Sequence, residues 1–204
     1  MSAHLRIEGV GRVGGLLAGE RWSHGHDLTL VTGNAKITAA MQRDGIAIDT
    51  PERTFTVATK AYTTLAELPA GSRFDSAWLL MMAGAAHDAA RDTLPLLAED
   101  GTLVSFQNGM VGEHIAALCG AERLVNASVV FGAVMTAAGC YLRNTRGAIF
   151  IGQPGVRAVT PCLAALRTLV RIISSTPRVF LGQRKLTADN LASLAALLPA
   201  LAPS

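Results

Sequence analysis

Short apolar runs alternate with helix-period segments along most of the chain. Leu5–Ile7 reads as a strand ending in glycines, and Val13–Trp22 as a helix with Val13, Leu16 and Leu17 on one side. Leu28–Val31 is a compact strand, and Ala35–Arg43 a helix with Ile37 and Met41 four apart. Ile46–Asp49 and Thr54–Ala58 alternate apolar and polar residues around Thr50-Pro51-Glu52, which predicts a hairpin. Ala77–Met82 is continuously apolar, as in a strand buried on both faces. Next come a helix over His87–Leu97, a strand over Thr102–Phe106 entered from Glu99-Asp100-Gly101, and a helix over Gly112–Leu118. Leu124–Val134 is strand-rich, and Ala148–Ile151 precedes the breaker cluster Gly152-Gln153-Pro154-Gly155. Such alternation predicts an α/β fold, a doubly wound and mostly parallel sheet with helices on both faces. Beyond the breaker the period becomes helical: Leu163, Leu166, Leu169, Val170 and Ile173, then Pro177, then a helix over Leu186–Leu198. The boundary is therefore placed at residue 155, with a first domain over 1–155 and a short helical segment over 156–204.

Composition narrows the classes. Of 204 residues, 50% are hydrophobic and 16% charged, which excludes a disordered chain and a coiled coil. The net charge is +3, but the 18 Lys and Arg are scattered and aromatics make up only 5%, so nucleic acid is not an expected partner. Three cysteines without a CxxC fit a reducing cytoplasm. Met1–Gly9 has no signal-peptide pattern, and the longest charge-free apolar run near the end, Leu191–Leu201, is shorter than the roughly 20 residues needed to span a bilayer. That run either packs on the first domain or marks a partner surface, a homodimer contact being the reading taken. The histidines show no metal-ligand spacing, and no metal is expected; His24 and His26 read as capping a helix-to-strand connection.

The main chemical signal is Gly9-Val10-Gly11-Arg12-Val13-Gly14, which follows the first strand and opens a helix. In that context Gly9 permits a tight turn, Gly11 lets the backbone approach a pyrophosphate, and Gly14 lets helix and strand pack closely. The helix N-terminus then offers unpaired N–H groups to phosphate. This is the dinucleotide turn of a Rossmann-type sheet, with Gly9, Val10, Gly11, Arg12, Val13 and Gly14 as its cofactor-binding residues. Glu8 stands where an apolar residue is expected, and Arg12 is the candidate to neutralise it. The second strand ends Val31-Thr32-Gly33-Asn34, without the acid that would accept bonds from ribose hydroxyls. Lys36 is therefore assigned to pair with a 2′-phosphate, with Thr32 and Asn34 as donors to it, and the expected cofactor is NADP (NADPH) rather than NAD.

These residues, with Gly25–Val31, the turn Gln107-Asn108-Gly109-Met110, Gly120–Arg123, Gly132-Ala133 and Ile149–Gly152, make the chain resemble the 2-dehydropantoate 2-reductases, or ketopantoate reductases. The resemblance covers about residues 4–155. It implies NADPH-dependent reduction of a 2-keto acid to a 2-hydroxy acid, ketopantoate to pantoate in pantothenate biosynthesis being the best-known case. It also implies that Asn108 holds the nicotinamide ribose or the substrate hydroxyl, roles that fit an amide able to donate and accept. The lysine that the family places after the strand read at Ala77–Met82 is replaced by Ala83-Gly84, and Lys60-Ala61-Tyr62 lies too early in the element order to supply it.

Reducing a ketone also needs a proton for the forming alkoxide. In the family a lysine at the start of the helical second domain supplies it, in a pattern that Arg178, Leu181 and Arg184-Lys185-Leu186 resemble. Without a gap Arg184 takes the lysine's place; with a one-residue shift Lys185 does, and Leu186 follows as it should. Because arginine stays protonated, Lys185 is the catalytic candidate. The family's second domain is on the order of 100 residues, so the segment after 155 reads as incomplete. The alternative function is a dinucleotide-binding module or truncated paralogue with impaired catalysis; a structural subunit associating through Leu191–Leu201 is a third reading.

Overall fold

The computed structural model describes residues 4–107, 111–145, 147, 149–154 and 178–179. Twelve strands and four α-helices form along these residues. They are β1 (Leu5–Glu8), α1 (Arg12–Ser23), β2 (Leu28–Val31), α2 (Ala35–Asp44), β3 (Ile46–Asp49), β4 (Thr54–Val57), β5 (Ala61–Tyr62) and β6 (Phe74–Leu79). Then come α3 (Ala83–Thr93), β7 (Leu97–Ser105), α4 (Val111–Cys119), β8 (Leu124–Val129), β9 (Ala133–Ala137), β10 (Cys140–Arg143), β11 (Ile149–Gly152) and β12 (Arg178–Val179).

Eight strands build one sheet in the order β12-β11-β8-β7-β6-β1-β2-β5. The run from β8 to β5 is parallel throughout. β11 joins β8 antiparallel, and β12 joins β11 in parallel. From β1 the chain winds outward through β2 to β5, then crosses back to β6 on the other side and continues to β8. Strand order therefore reverses between β1 and β6, and a doubly wound sheet opens its ligand crevice at such a reversal, at the carboxyl ends of the strands.

Alternation along the strands sends side chains to two layers. On one face Leu5, Ile7, Leu28, Leu30 and Trp78 join Leu16 and Leu17 of α1 and Ile37 and Met41 of α2. On the other, Phe74, Ala77, Leu79 and Leu103 meet Ala86 and Ala90 of α3 and Ile115 of α4. Each large aliphatic side chain buried in this way contributes roughly 1.5–3 kcal/mol. A second sheet, β4-β3-β10-β9, lies on the far side of α1. Here β3 pairs antiparallel with β4, as the hairpin pattern predicts, and parallel with β10. α1 is thus covered on both sides, which explains why Gly14 through Arg21 are all buried and the helix has no distinct polar face.

Several boundaries differ from expectation; the helix read to Leu97 ends at Thr93, and the stretch Leu124–Val134 divides between β8 and β9. The strand read at Ala77–Met82 is Phe74–Leu79, and the helix read from His87 starts at Ala83. β7 starts at Leu97 rather than Thr102, because the chain is already paired there with Phe74 across an irregularity in the ladder. β5 and β10 carry no prior expectation. The helical segment over 156–204 lies outside the described residues apart from β12. No helix among the described residues is long and apolar enough to cross a membrane.

Candidate cofactor site

The glycine turn sits at the carboxyl end of β1, at the strand-order reversal. Gly9 has a positive φ of 86°, and its N–H donates to the Val31 carbonyl at 3.1 Å, tying the turn to the end of β2. A Cβ on Gly9 would lie 2.4 Å from the Met81 backbone nitrogen, and one on Gly14 would lie 2.2 Å from the Gly9 carbonyl oxygen. Both glycines are required by backbone that cannot move aside. Gly11 differs: a Cβ there would have nothing within 4 Å. Its lack of a side chain is not needed by the fold and leaves the approach to α1 open.

Gly11 is the N-cap of α1, with no side-chain cap and no acid in the first turn. The first intrahelical bond runs from Gly15 N–H to the Gly11 carbonyl at 2.9 Å. The N–H groups of Arg12, Val13 and Gly14 precede it and have no intrahelical acceptor by helix geometry, so they concentrate partial positive charge. Arg12 is exposed beside them, Val13 is half-buried and Val10 fully buried. This open, uncapped terminus beside a side-chain-free glycine fits the pyrophosphate of a dinucleotide.

The end of β2 is built differently from the sequence picture. The Thr32 hydroxyl is buried, donates to the Asn34 carbonyl at 2.9 Å and lies 2.6 Å from Thr38 Oγ1. It holds the turn into α2 rather than facing outward. The Asn34 side chain caps α2, accepting from the N–H groups of Lys36 and Ile37. Lys36 itself is exposed in the first turn of α2.

At the end of β6, Leu80 N–H donates to the Glu8 carbonyl at 2.8 Å. Gln107, just past β7, is buried and donates from Nε2 to the Leu79 and Met81 carbonyls at 2.9 and 3.0 Å, while Ser105 Oγ donates to its Oε1. Gln107 thus holds the wall facing the glycine turn. Met82, at the mouth of this wall, is 86% exposed. Lys60 lies at the opposite, amino-terminal end of the sheet, paired with Asp27 at 2.8 Å. His24 is the C-cap of α1, with Nδ1 2.7 Å from the Glu20 carbonyl.

Glu8 is neutralised by Arg6, not by Arg12. Both alternate onto the α3 face of β1, where Arg6 Nη2 lies 3.2 Å from Glu8 Oε2. Thr93 of α3 accepts from Arg6 and donates to the same carboxylate oxygen at 3.1 Å. Arg6 is 0% exposed, with its guanidinium 5.3 Å from the Phe74 ring centroid, and Nε and Nη1 have no hydrogen-bond partner among the described residues. Period-two alternation puts residues 6 and 8 on one face, a signal that would have found the pair.

Burial pushes the Glu8 carboxyl above the usual carboxylate range; Arg6 and the Thr93 hydrogen bond oppose this, and Asp92 adds to it. The folded state therefore takes up this proton at higher pH than the unfolded chain. That contribution to stability is complete below an ordinary carboxyl value of about 4.3 and is lost as pH rises toward the raised folded value. Urea denaturation across this window should show Glu8→Gln removing the corresponding slope; identical pH profiles in the two proteins would contradict it.

Asn108, Arg184 and Lys185 lie outside the described residues.

No curated protein gives a sequence match. Among solved structures, a candidate ketopantoate reductase of Ralstonia solanacearum superposes with TM-score 0.78 at 18% identity, covering 98% of this chain and 66% of its own. A 2-dehydropantoate 2-reductase of Geobacter metallireducens gives 0.76 at 20% identity, over 87% and 57%. A D-mandelate dehydrogenase in ternary complex with NADH and anilino(oxo)acetate gives 0.76 at 15%, over 87% and 56%. The chain thus spans less than two thirds of the length of each, and at these identities the likeness is one of fold. The sequence profile described as "Ketopantoate reductase PanE/ApbA" matches residues 6–155, the stretch that holds the glycine turn, both sheets up to β11 and the wall at Gln107. On that match, which covers most of its length, the chain belongs to the ketopantoate reductase PanE/ApbA family.

Proposed function

We propose that the chain binds NADPH at the turn between β1 and α1 and reduces a 2-keto acid to the 2-hydroxy acid, with ketopantoate to pantoate, the step of pantothenate biosynthesis, as the first substrate to test. The observation that carries this is the open Gly11 at an uncapped helix terminus, set at the reversal of strand order. Its backbone N–H groups and the Arg12 guanidinium suit a pyrophosphate. Preference for NADPH over NADH rests on Thr32-Gly33-Asn34 at the end of β2, none of which is acidic, and on the exposed Lys36. Thr32 contributes by shaping this turn, since its hydroxyl is already engaged.

A bound reduced nicotinamide supplies the hydride. The proton for the forming alkoxide is assigned to Lys185 Nζ, so that the carbonyl becomes a secondary alcohol. Asn108 is assigned to the nicotinamide ribose or the substrate hydroxyl. The D-mandelate dehydrogenase neighbour widens the substrates worth testing to 2-keto acids with aromatic side chains. A reducing cytoplasmic setting agrees with cysteines that carry free thiols at 119 and 140. A homodimer through Leu191–Leu201 is the proposed assembly.

NADPH and NADH titrations followed by fluorescence, then an NADPH-oxidation assay with ketopantoate and phenylglyoxylate, test this reading. NADPH should bind at least about tenfold tighter than NADH, a difference of about 1.4 kcal/mol. Lys185→Ala should abolish turnover while leaving NADPH binding intact. Tight binding without turnover of either acid by the wild-type chain would favour the second reading, a cofactor-binding module without catalysis. Full activity in Lys185→Ala would remove that residue as proton donor.

A further inference from the structure

The second sheet reaches the cofactor turn through one side chain. Two glycines of α1, Gly15 and Gly19, lie one turn apart on its outer side. A Cβ on Gly15 would fall 2.0 Å from Cζ of Tyr141, and one on Gly19 would fall 2.4 Å from Cγ1 of Ile48. The sheet therefore rests directly on the helix backbone. Tyr141, on β10, is 1% exposed, and its hydroxyl donates to the Val10 carbonyl at 3.0 Å across 131 positions of sequence.

Val10 lies between two glycines, so the peptide linking it to Gly11 is restricted locally from the Val10 side and not by a Cβ at Gly11. A trans peptide directs its C=O and N–H to opposite sides, and the structure contains no cis bond among its described residues. Fixing the Val10 carbonyl on the phenol therefore also fixes the Gly11 N–H, which points away from Tyr141. Gly11 is the residue whose side is open to a ligand.

We propose that Tyr141 is a positioning residue for the dinucleotide: it holds the Val10–Gly11 peptide from behind, so that the Gly11 N–H is already oriented when a pyrophosphate arrives. This rests on the reading of the glycine turn as the pyrophosphate site. Burial, and secondarily Cys140, push the phenol above its usual range, so it stays a donor at every working pH. The ring fills the space over Gly15, and the hydroxyl provides the orientation.

The test compares Tyr141→Phe, which keeps the ring, with Ile48→Val, which loosens the same sheet one helical turn away. The full-length chain is used, with NADPH as ligand. Three quantities are read: thermal midpoint, NADPH affinity, and amide hydrogen exchange without ligand at Gly9, whose N–H is bonded to the Val31 carbonyl in the same turn. Tyr141→Phe should speed exchange at Gly9 and weaken NADPH about tenfold, in line with losing one buried hydrogen bond. Ile48→Val should lower the midpoint and leave affinity and exchange at Gly9 unchanged. Unchanged exchange in Tyr141→Phe, or equal weakening of NADPH by both variants, overturns the proposal. Faster exchange in a chain whose wild type binds no dinucleotide would uphold the hydrogen bond as an anchor of the turn, but overturn both its role toward a cofactor and the proposed function.

Discussion

Gly9→Ala is expected to cost about 2–6 kcal/mol of folding stability and to abolish dinucleotide binding. Two terms add. A non-glycine residue at φ +86° carries roughly 1–3 kcal/mol of backbone strain. Its methyl would also press into the Met81 backbone nitrogen at 2.4 Å, and overpacking of this kind costs about 1–3 kcal/mol more. The Leu80–Met81 backbone cannot retreat, because Leu80 N–H is bonded to Glu8 and the Met81 carbonyl to Gln107. Gly11→Ala is the informative partner, since its methyl would enter empty space at an ordinary φ of −79°. Urea denaturation should leave Gly11→Ala within about 1 kcal/mol of wild type, while NADPH titration shows binding lost in both. Retained binding in Gly11→Ala would mean that no ligand approaches there.

Arg6→Met should be the other large loss, about 3–5 kcal/mol, because it strands the Glu8 carboxylate in the layer under α3. Desolvation already works against both members: Arg6 is held below its usual value by burial, with Glu8 opposing, and Glu8 is raised. The pair is thus costly to bury and costlier to break. Arg6→Met combined with Glu8→Leu should recover most of the loss, since it replaces a buried ion pair with apolar groups next to Phe74 and Leu79. The double-mutant cycle, measured by chemical denaturation, checks this. A double variant no more stable than Arg6→Met would show that the pair is not the origin of the loss.

The order of strands and helices was legible where apolar runs end abruptly. Leu28–Val31 is bounded by Asp27 and Thr32-Gly33, and both its ends agree with the structure. At β6 the apolar run continues past the strand, because Leu80–Met82 form the wall and mouth of the crevice, and the polar opening Asp75-Ser76 hides the true start. The start of α3, Ala83-Gly84-Ala85-Ala86, lacks the contrast between apolar and polar positions that marks a helix. β10 pairs locally with β9 and, more than ninety positions earlier, with β3, and no pattern in its own four residues announces the distant partner. In the site, the glycine turn could be read from spacing alone. The role of Gly15 could not, since only a neighbour brought by the fold makes that glycine necessary.

The pairing of β3 with β10 also sets an order of events during synthesis. α1 is complete by Ser23 and its sheet-facing side can be covered once β6 is made; on its outer side Ile48 of β3 reaches Gly19 early, but Gly15 waits for Tyr141. Contacts so distant in sequence form late, because the loop between them must first be closed. On a ribosome adding about 5–20 residues per second, the part of α1 at Gly15 is exposed for several seconds after the helix emerges. The turn at Val10 is thus among the last parts of the domain to reach its final form, and this interval is when a nascent chain is most open to chaperones.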